Sequence, residues 1–163
     1  MTETNARAQR AAALFGEGYN CAQAVFLTYC EEYGIPAETG LMLASSFGGG
    51  MGRLREVCGT VSGMFMAAGL KYGYADPKDP AAKKRLYAMV QELARRFEAE
   101  NGSIICRELL GLDHKRDAPT PEARTPGYYK KRPCKELAAC AARIFDDFCA
   151  DVDAGRWPEK TDA

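Results

Sequence analysis

The sequence has no surplus of charge, no long apolar run, no alternating strand pattern and no C-x-x-C pair. Each absence removes a class of protein. Lys and Arg number 22 and are matched by 22 Asp and Glu, so no face is expected to carry the basic surplus that tracks a phosphate backbone or an anionic membrane. The short basic clusters KKR at Lys83–Arg85 and YKKRP at Tyr129–Pro133 have acidic neighbours and read as solvated surface. No stretch approaches the roughly 20 apolar residues needed to span a bilayer. The first residues, MTETNARAQRAAALFGEG, mix acid with base and do not resemble a signal peptide. A cytoplasmic protein is therefore expected. Without C-x-x-C, spacing alone supports neither a zinc ribbon, a thioredoxin-like pair nor a ferredoxin run, and without C-x-x-C-H there is no covalent haem. There is also no serine–histidine pair, phosphate loop or pair of carboxylates of the kind that defines a hydrolase.

The patterns that are present are helical. An Ala-rich segment at 3–16 stops at Gly16 and Gly18. Asn20 is a suitable N-cap for CAQAVFLTYCEEYG, and Pro36 precedes a third helical stretch. From Cys58 to Tyr72 the chain is apolar almost all round, the mark of a central helix. Asp79 and Pro80 open a long amphipathic helix with Leu86, Met89, Val90, Leu93 and Phe97 in its stripe. Ser103 caps a short helix, and Pro133 begins a final one with Leu137, Ala141, Ile144, Phe145 and Phe148 facing inward. Residues 113–132, with three prolines and no period, read as a long polar loop of functional interest. These signals predict one all-α domain over 1–163, a bundle of five to seven helices around the helix that starts at Cys58. That helix is apolar on most sides in a short chain, which predicts a homodimer.

Seven cysteines in a reducing compartment need an account other than disulfides. Cys21, Cys58, Cys106 and Cys134 sit at predicted helix starts, where partial positive charge and free N–H groups favour the thiolate. Four thiolates form the ligand set of an iron–sulfur or zinc site. Cys30, Cys140 and Cys149 read instead as small core residues. Gly48, Gly49, Gly50 and Gly52 precede Cys58; they allow either close backbone packing or room and N–H donors for a group at the sulfur. The single histidine, His114, lies in the polar loop and reads as surface, with a proton-donor or lid role as the functional alternative. Tyr128, Tyr129, Met51, Met64 and Met66 read as packing residues that would also suit the wall of a site, and Asp146–Asp147 as a solvated face.

NCAQAVF at 20–26, FGGGMGRLREVCGTVSG at 47–63, CRELLGLD at 106–113 and RPCKELAACAARIF at 132–145 together resemble the redox-active family named for the pattern C_GCAxxG_C_C. The named motif falls on Cys58, Gly59, Val61 and Gly63, with Thr60 where the pattern has alanine. The resemblance implies that Cys21, Cys58, Cys106 and Cys134 are the four signature cysteines. A looser resemblance to split-Soret cytochromes c implies an iron–sulfur centre, [2Fe–2S] or [4Fe–4S], and a dimer. The expected function is electron transfer with an unidentified redox partner protein. The alternatives are thiol–disulfide cycling by two of the same cysteines, or a structural zinc site in a helical partner-binding module.

Overall fold

The computed structural model describes residues 3–158. Among them the chain forms eight helices: α1 Glu3–Gly16, α2 Cys21–Cys30, α3 Ala37–Ser45, α4 Gly59–Tyr72, α5 Pro80–Asn101, α6 Cys106–Leu109, α7 Pro126–Lys131 and α8 Cys134–Asp153. The only strand-like pairing among the described residues is an isolated antiparallel bridge between Val57 and Ile105. The chain is all-α, as its periodicity predicts.

Helix boundaries follow local chemistry. At α2 the Asn20 side chain accepts from Gln23 N–H at 2.9 Å, and Asn20 N–H donates to Gln23 Oε1 at 3.1 Å, a reciprocal cap. At α5 Asp79 accepts from Ala82 N–H at 2.9 Å and Pro80 occupies the first turn, while Gly102 ends the helix at φ 86°. One helix was not expected. Thr125 caps Tyr128 N–H and Pro126 starts α7 inside the stretch read as a loop. Six residues hold too little apolar period to stand out among prolines.

Helix α4 is central. Val61, Met64, Ala67 and Ala68 are fully buried, packed with Met89, Leu93 and Phe97 of α5 and with Leu137, Ala141, Ile144, Phe145 and Phe148 of α8. Tyr29 of α2 meets Phe145 edge-on at 4.9 Å. Each of the buried Val, Leu, Ile, Met and Phe side chains contributes about 1.5–3 kcal/mol by leaving water. The chain covers the first half of α4 by itself, but Phe65 and Met66 are only partly buried and Leu70 is 37% exposed, so some of the helix's apolar surface stays open. No helix among the described residues is long and apolar enough to cross a membrane.

Asp146 corrects the sequence reading. Only Asp147 is solvated; Asp146 is buried, accepting from Arg7 at 3.1 Å and from the Tyr29 hydroxyl at 3.1 Å. Burial pushes its carboxyl pKa up, and the Arg7 guanidinium only partly opposes this. The Arg7 partner comes from α1, far away in sequence, so no local pattern announces the pair.

Candidate functional site: four cysteines on one cavity

The four helix starts converge. Cys21, Cys106 and Cys134 are the first residues of α2, α6 and α8, and Cys58 is the N-cap of α4. Two short segments align antiparallel to bring Cys58 beside Cys106. Cys58 N–H donates to Ile104 O at 2.7 Å and Cys106 N–H to Glu56 O at 2.6 Å, flanking the Val57–Ile105 bridge. Asn20, just before Cys21, also donates from its side chain to Ser45 O at 3.0 Å, tying the start of α2 to the end of α3. Cys21, Cys58, Cys106 and Cys134 all line one cavity of about 60 Å³, several times the 10–15 Å³ or so that one water needs. Phe15, Tyr128 and Leu137 supply apolar wall; Arg55, Arg124 and Arg132 supply charge.

The glycines before Cys58 serve close approach. A Cβ on Gly50 would lie 2.6 Å from Cys106 Cβ, and one on Gly59 would collide with Cys21 Sγ. Gly49, Gly50, Met51, Gly52 and Arg53 all have positive φ, between 60° and 69°, a left-handed turn, and Arg55 repeats this at 60°. Left-handed backbone costs a non-glycine residue about 1–2 kcal/mol, so Met51, Arg53 and Arg55 are held there by their surroundings. For Arg55 the surroundings are visible. The residue is 3% exposed, its Nε donates to Asp117 at 2.6 Å, and its Nη1 lies 3.6 Å from Cys106 Sγ.

Electrostatically the site differs from the sequence expectation. Helix starts favour thiolates, yet burial pushes the Cys58, Cys106 and Cys134 thiols up, Cys134 to about 12. The neighbouring Cys21 sulfur raises all three further, while the Thr60 hydroxyl, 3.1 Å from Cys58 Sγ, and Arg55 at Cys106 oppose the rise. Desolvation exceeds the helix dipole here because the sulfurs are shielded from water and lie near one another. All seven cysteines are free thiols. Among the described residues no group of three or more His, Cys, Asp and Glu side chains is already spaced to hold a metal ion. The donor chemistry nonetheless suits a soft metal or cluster: four thiols, two with hydrogen-bond donors beside the sulfur. A bound cation would reverse the pKa shifts.

The other cysteines stay apart. Cys30 is buried under Gly40, and Cys149 is buried near Tyr72. Cys140 is half-buried at the edge of the core and packs against it, with Asn101 donating to its sulfur at 3.4 Å and Glu100 3.5 Å away. His114 is on the surface, bonded to Asp113 at 2.9 Å and Asp117 at 2.7 Å, which raises its pKa. Its Asp117 partner also holds Arg55, so the loop is pinned to the site by a chain of polar contacts. Met64 is core and Met66 packs against the second apolar cluster. Tyr128 lines the cavity, and Tyr129 packs edge-on to Phe15 at 6.0 Å. Sequence reasoning missed Arg55, Arg124 and Arg132, because an arginine near a turn gives no local sign of burial.

No curated protein and no solved structure matches the chain. Residues 19–148 match the family described as "Putative redox-active protein (C_GCAxxG_C_C)", and the chain belongs to that family.

Proposed function

We propose that Cys21, Cys58, Cys106 and Cys134 hold an iron–sulfur cluster, and that the protein passes electrons to a redox partner. The observation that carries this reading is that all four line one cavity with Arg55 and Thr60 at two of the sulfurs. A cluster supplies a one-electron couple whose potential depends on hydrogen bonds to sulfur and on burial. The chain would supply the rest. Thr60 orients Cys58, Arg55 offsets negative charge at Cys106, and Phe15, Tyr128 and Leu137 keep bulk water from the sulfurs. The pairing of 56–58 with 104–106 holds Cys58 and Cys106 in register for ligation.

Thiol–disulfide cycling is the second reading, favoured by the same juxtaposition of Cys58 and Cys106. Against it, the raised thiol pKa values leave little thiolate for exchange near neutral pH. Zinc at the four thiols stands third. Anaerobic purification with iron, sulfide and zinc analysis separates the three. Iron and acid-labile sulfide in equal amounts, with visible absorption, are expected; a colourless protein holding zinc, or thiols alone, would remove the cluster reading. The reading places the protein in a reducing, cytoplasmic setting. A homodimer belongs to it through the cytochrome resemblance, with Met42 and Leu43 of α3, 70% and 52% exposed, as the face available. Light scattering should then give twice the 17.8 kDa chain mass; a monomer at micromolar concentration removes the dimer.

A further inference from the structure

Beside the cysteine cavity lies a larger cleft of about 400 Å³, walled by Arg53, Arg55, Arg124, Arg132 and Tyr128. The two hollows share Asn20, Gly49, Arg55, Arg124, Tyr128 and Arg132. The sequence scatters these arginines as 53/55 and 124/132, in a chain of zero net charge. Folding gathers them because the 113–125 segment docks on the left-handed turn: Asp117 N–H donates to Arg53 O at 3.0 Å and Arg53 Nε to Ala118 O at 2.6 Å.

Two carboxylates answer four guanidinium groups. Asp117 takes Arg55 at 2.6 Å and Arg53 at 3.8 Å, and Glu122 takes Arg132. Among the described residues Arg124 has no carboxylate partner. It is fixed in place by donating to Phe15 O and Tyr19 O, 3.1 Å each, and by lying over the Phe15 ring at 4.3 Å and the Tyr128 ring at 4.9 Å. Arg55 carries the stronger sign. It is 3% exposed, and its Nη2 is buried with no hydrogen-bond partner. A buried charged donor without an acceptor carries its full desolvation cost, so Arg55, in the wall between the two hollows, is one acceptor short.

We propose that this cleft binds a small organic anion, a carboxylate or a phosphate, which accepts from the guanidinium of Arg55 and is flanked by Arg124 and Arg132. A guanidinium fork matches both kinds of oxyanion. The volume falls within the range of about 300–1,000 Å³ typical of small-molecule sites, larger than a bare inorganic ion needs. Pro119, Pro121 and Tyr128 offer the body of the molecule an apolar wall. Because the hollows share that wall, the occupant would lie against the thiols, and its binding stands whether or not they hold a cluster.

The test uses the full chain, reduced and metal-free, at constant ionic strength. Pyrophosphate is titrated in one arm and citrate in the other, with arginine Nε–H and amide resonances followed by NMR. Saturable shifts at Arg55, Arg124 and Tyr128 are expected in at least one arm, and the arm that responds assigns phosphate or carboxylate. Arg124→Gln should weaken that binding about tenfold or more, the scale of one charge-assisted hydrogen bond or close ion pair. Arg55→Lys should do the same; if that buried variant fails to fold, Arg124→Gln decides alone. Lys83→Gln, on α5 outside the cleft, should bind as the parent does. No saturable shift in either arm, or equal weakening by Lys83→Gln, overturns the proposal.

Discussion

If the four cysteines hold a cluster as proposed, replacing Cys58 by serine is expected to strip the protein of iron and sulfide while leaving the fold in place. Cys58 is held by backbone and side chain alike. It caps the central helix, its N–H is engaged with Ile104 O, and its sulfur contacts Thr60. A serine there keeps the backbone contacts, and its hydroxyl keeps the Thr60 hydroxyl as a partner, so the stability cost should be about 1 kcal/mol, the scale of one exchanged hydrogen bond. Metal retention should fall much further. Changes to groups that only orient a ligand cost about 10–100-fold in affinity, and removal of a ligand should exceed that. Cys140→Ser is the matched control. Asn101 and Glu100 stand ready to bond its hydroxyl in place of the thiol, so it should keep both iron and stability. Iron analysis and a circular dichroism melt of each variant check the pair. Equal iron content in Cys58→Ser and the parent would mean that Cys58 is not a ligand.

The contrast between these two cysteines shows what could be read from the sequence. Helix caps are local, so Asn20 and Asp79–Pro80 placed two helix starts correctly, and the four helix-start cysteines could be told from the other three. Burial is not local. The apolar stripe of α8 put Cys140 inward, and it does pack against the core on one side while Asn101, Glu100 and Arg143 meet it on the other. Asp146, read as solvated beside Asp147, is buried because Arg7 and Tyr29 reach it from α1 and α2. The same gap explains the thiol pKa values. The helix dipole that should lower them follows from position in the sequence, whereas the desolvation that outweighs it depends on neighbours from segments far apart in the chain. Arg55 is the extreme case. Only a left-handed turn turns it inward, and the glycines on either side of Met51 signal a turn without saying which arginine it buries.

Glycine gives the second large effect, and it should change sign along a single helix. Gly59 and Gly69 both lie in α4. A methyl group on Gly59 would collide with Cys21 Sγ and stand 3.0 Å from Phe47 O and 3.1 Å from Ala22 N, whereas one on Gly69 meets nothing within 4 Å. Two of the atoms facing Gly59 are backbone, and the third is a buried sulfur on the short side chain of Cys21. None yields cheaply, so α2 and α4 must separate. Overpacking of this kind costs about 1–3 kcal/mol, and at the first residue of the helix little is regained from alanine's better propensity. At Gly69, inside the helix, the propensity gain and the stiffer unfolded chain act unopposed and should stabilise by about 0.4–1 kcal/mol. Gly59→Ala should therefore lower Tm and Gly69→Ala raise it, at roughly 2–4 °C per kcal/mol for a chain of this size. Melts of the reduced, metal-free variants measure this without reference to any cofactor. Because the displaced atom is the Cys21 sulfur, Gly59→Ala should also reduce iron retention, and Gly69→Ala should not. Equal melting of the two variants would mean that the close approach of α2 to α4 at Cys21 is not a constraint, and the glycine after Cys58 would need another explanation.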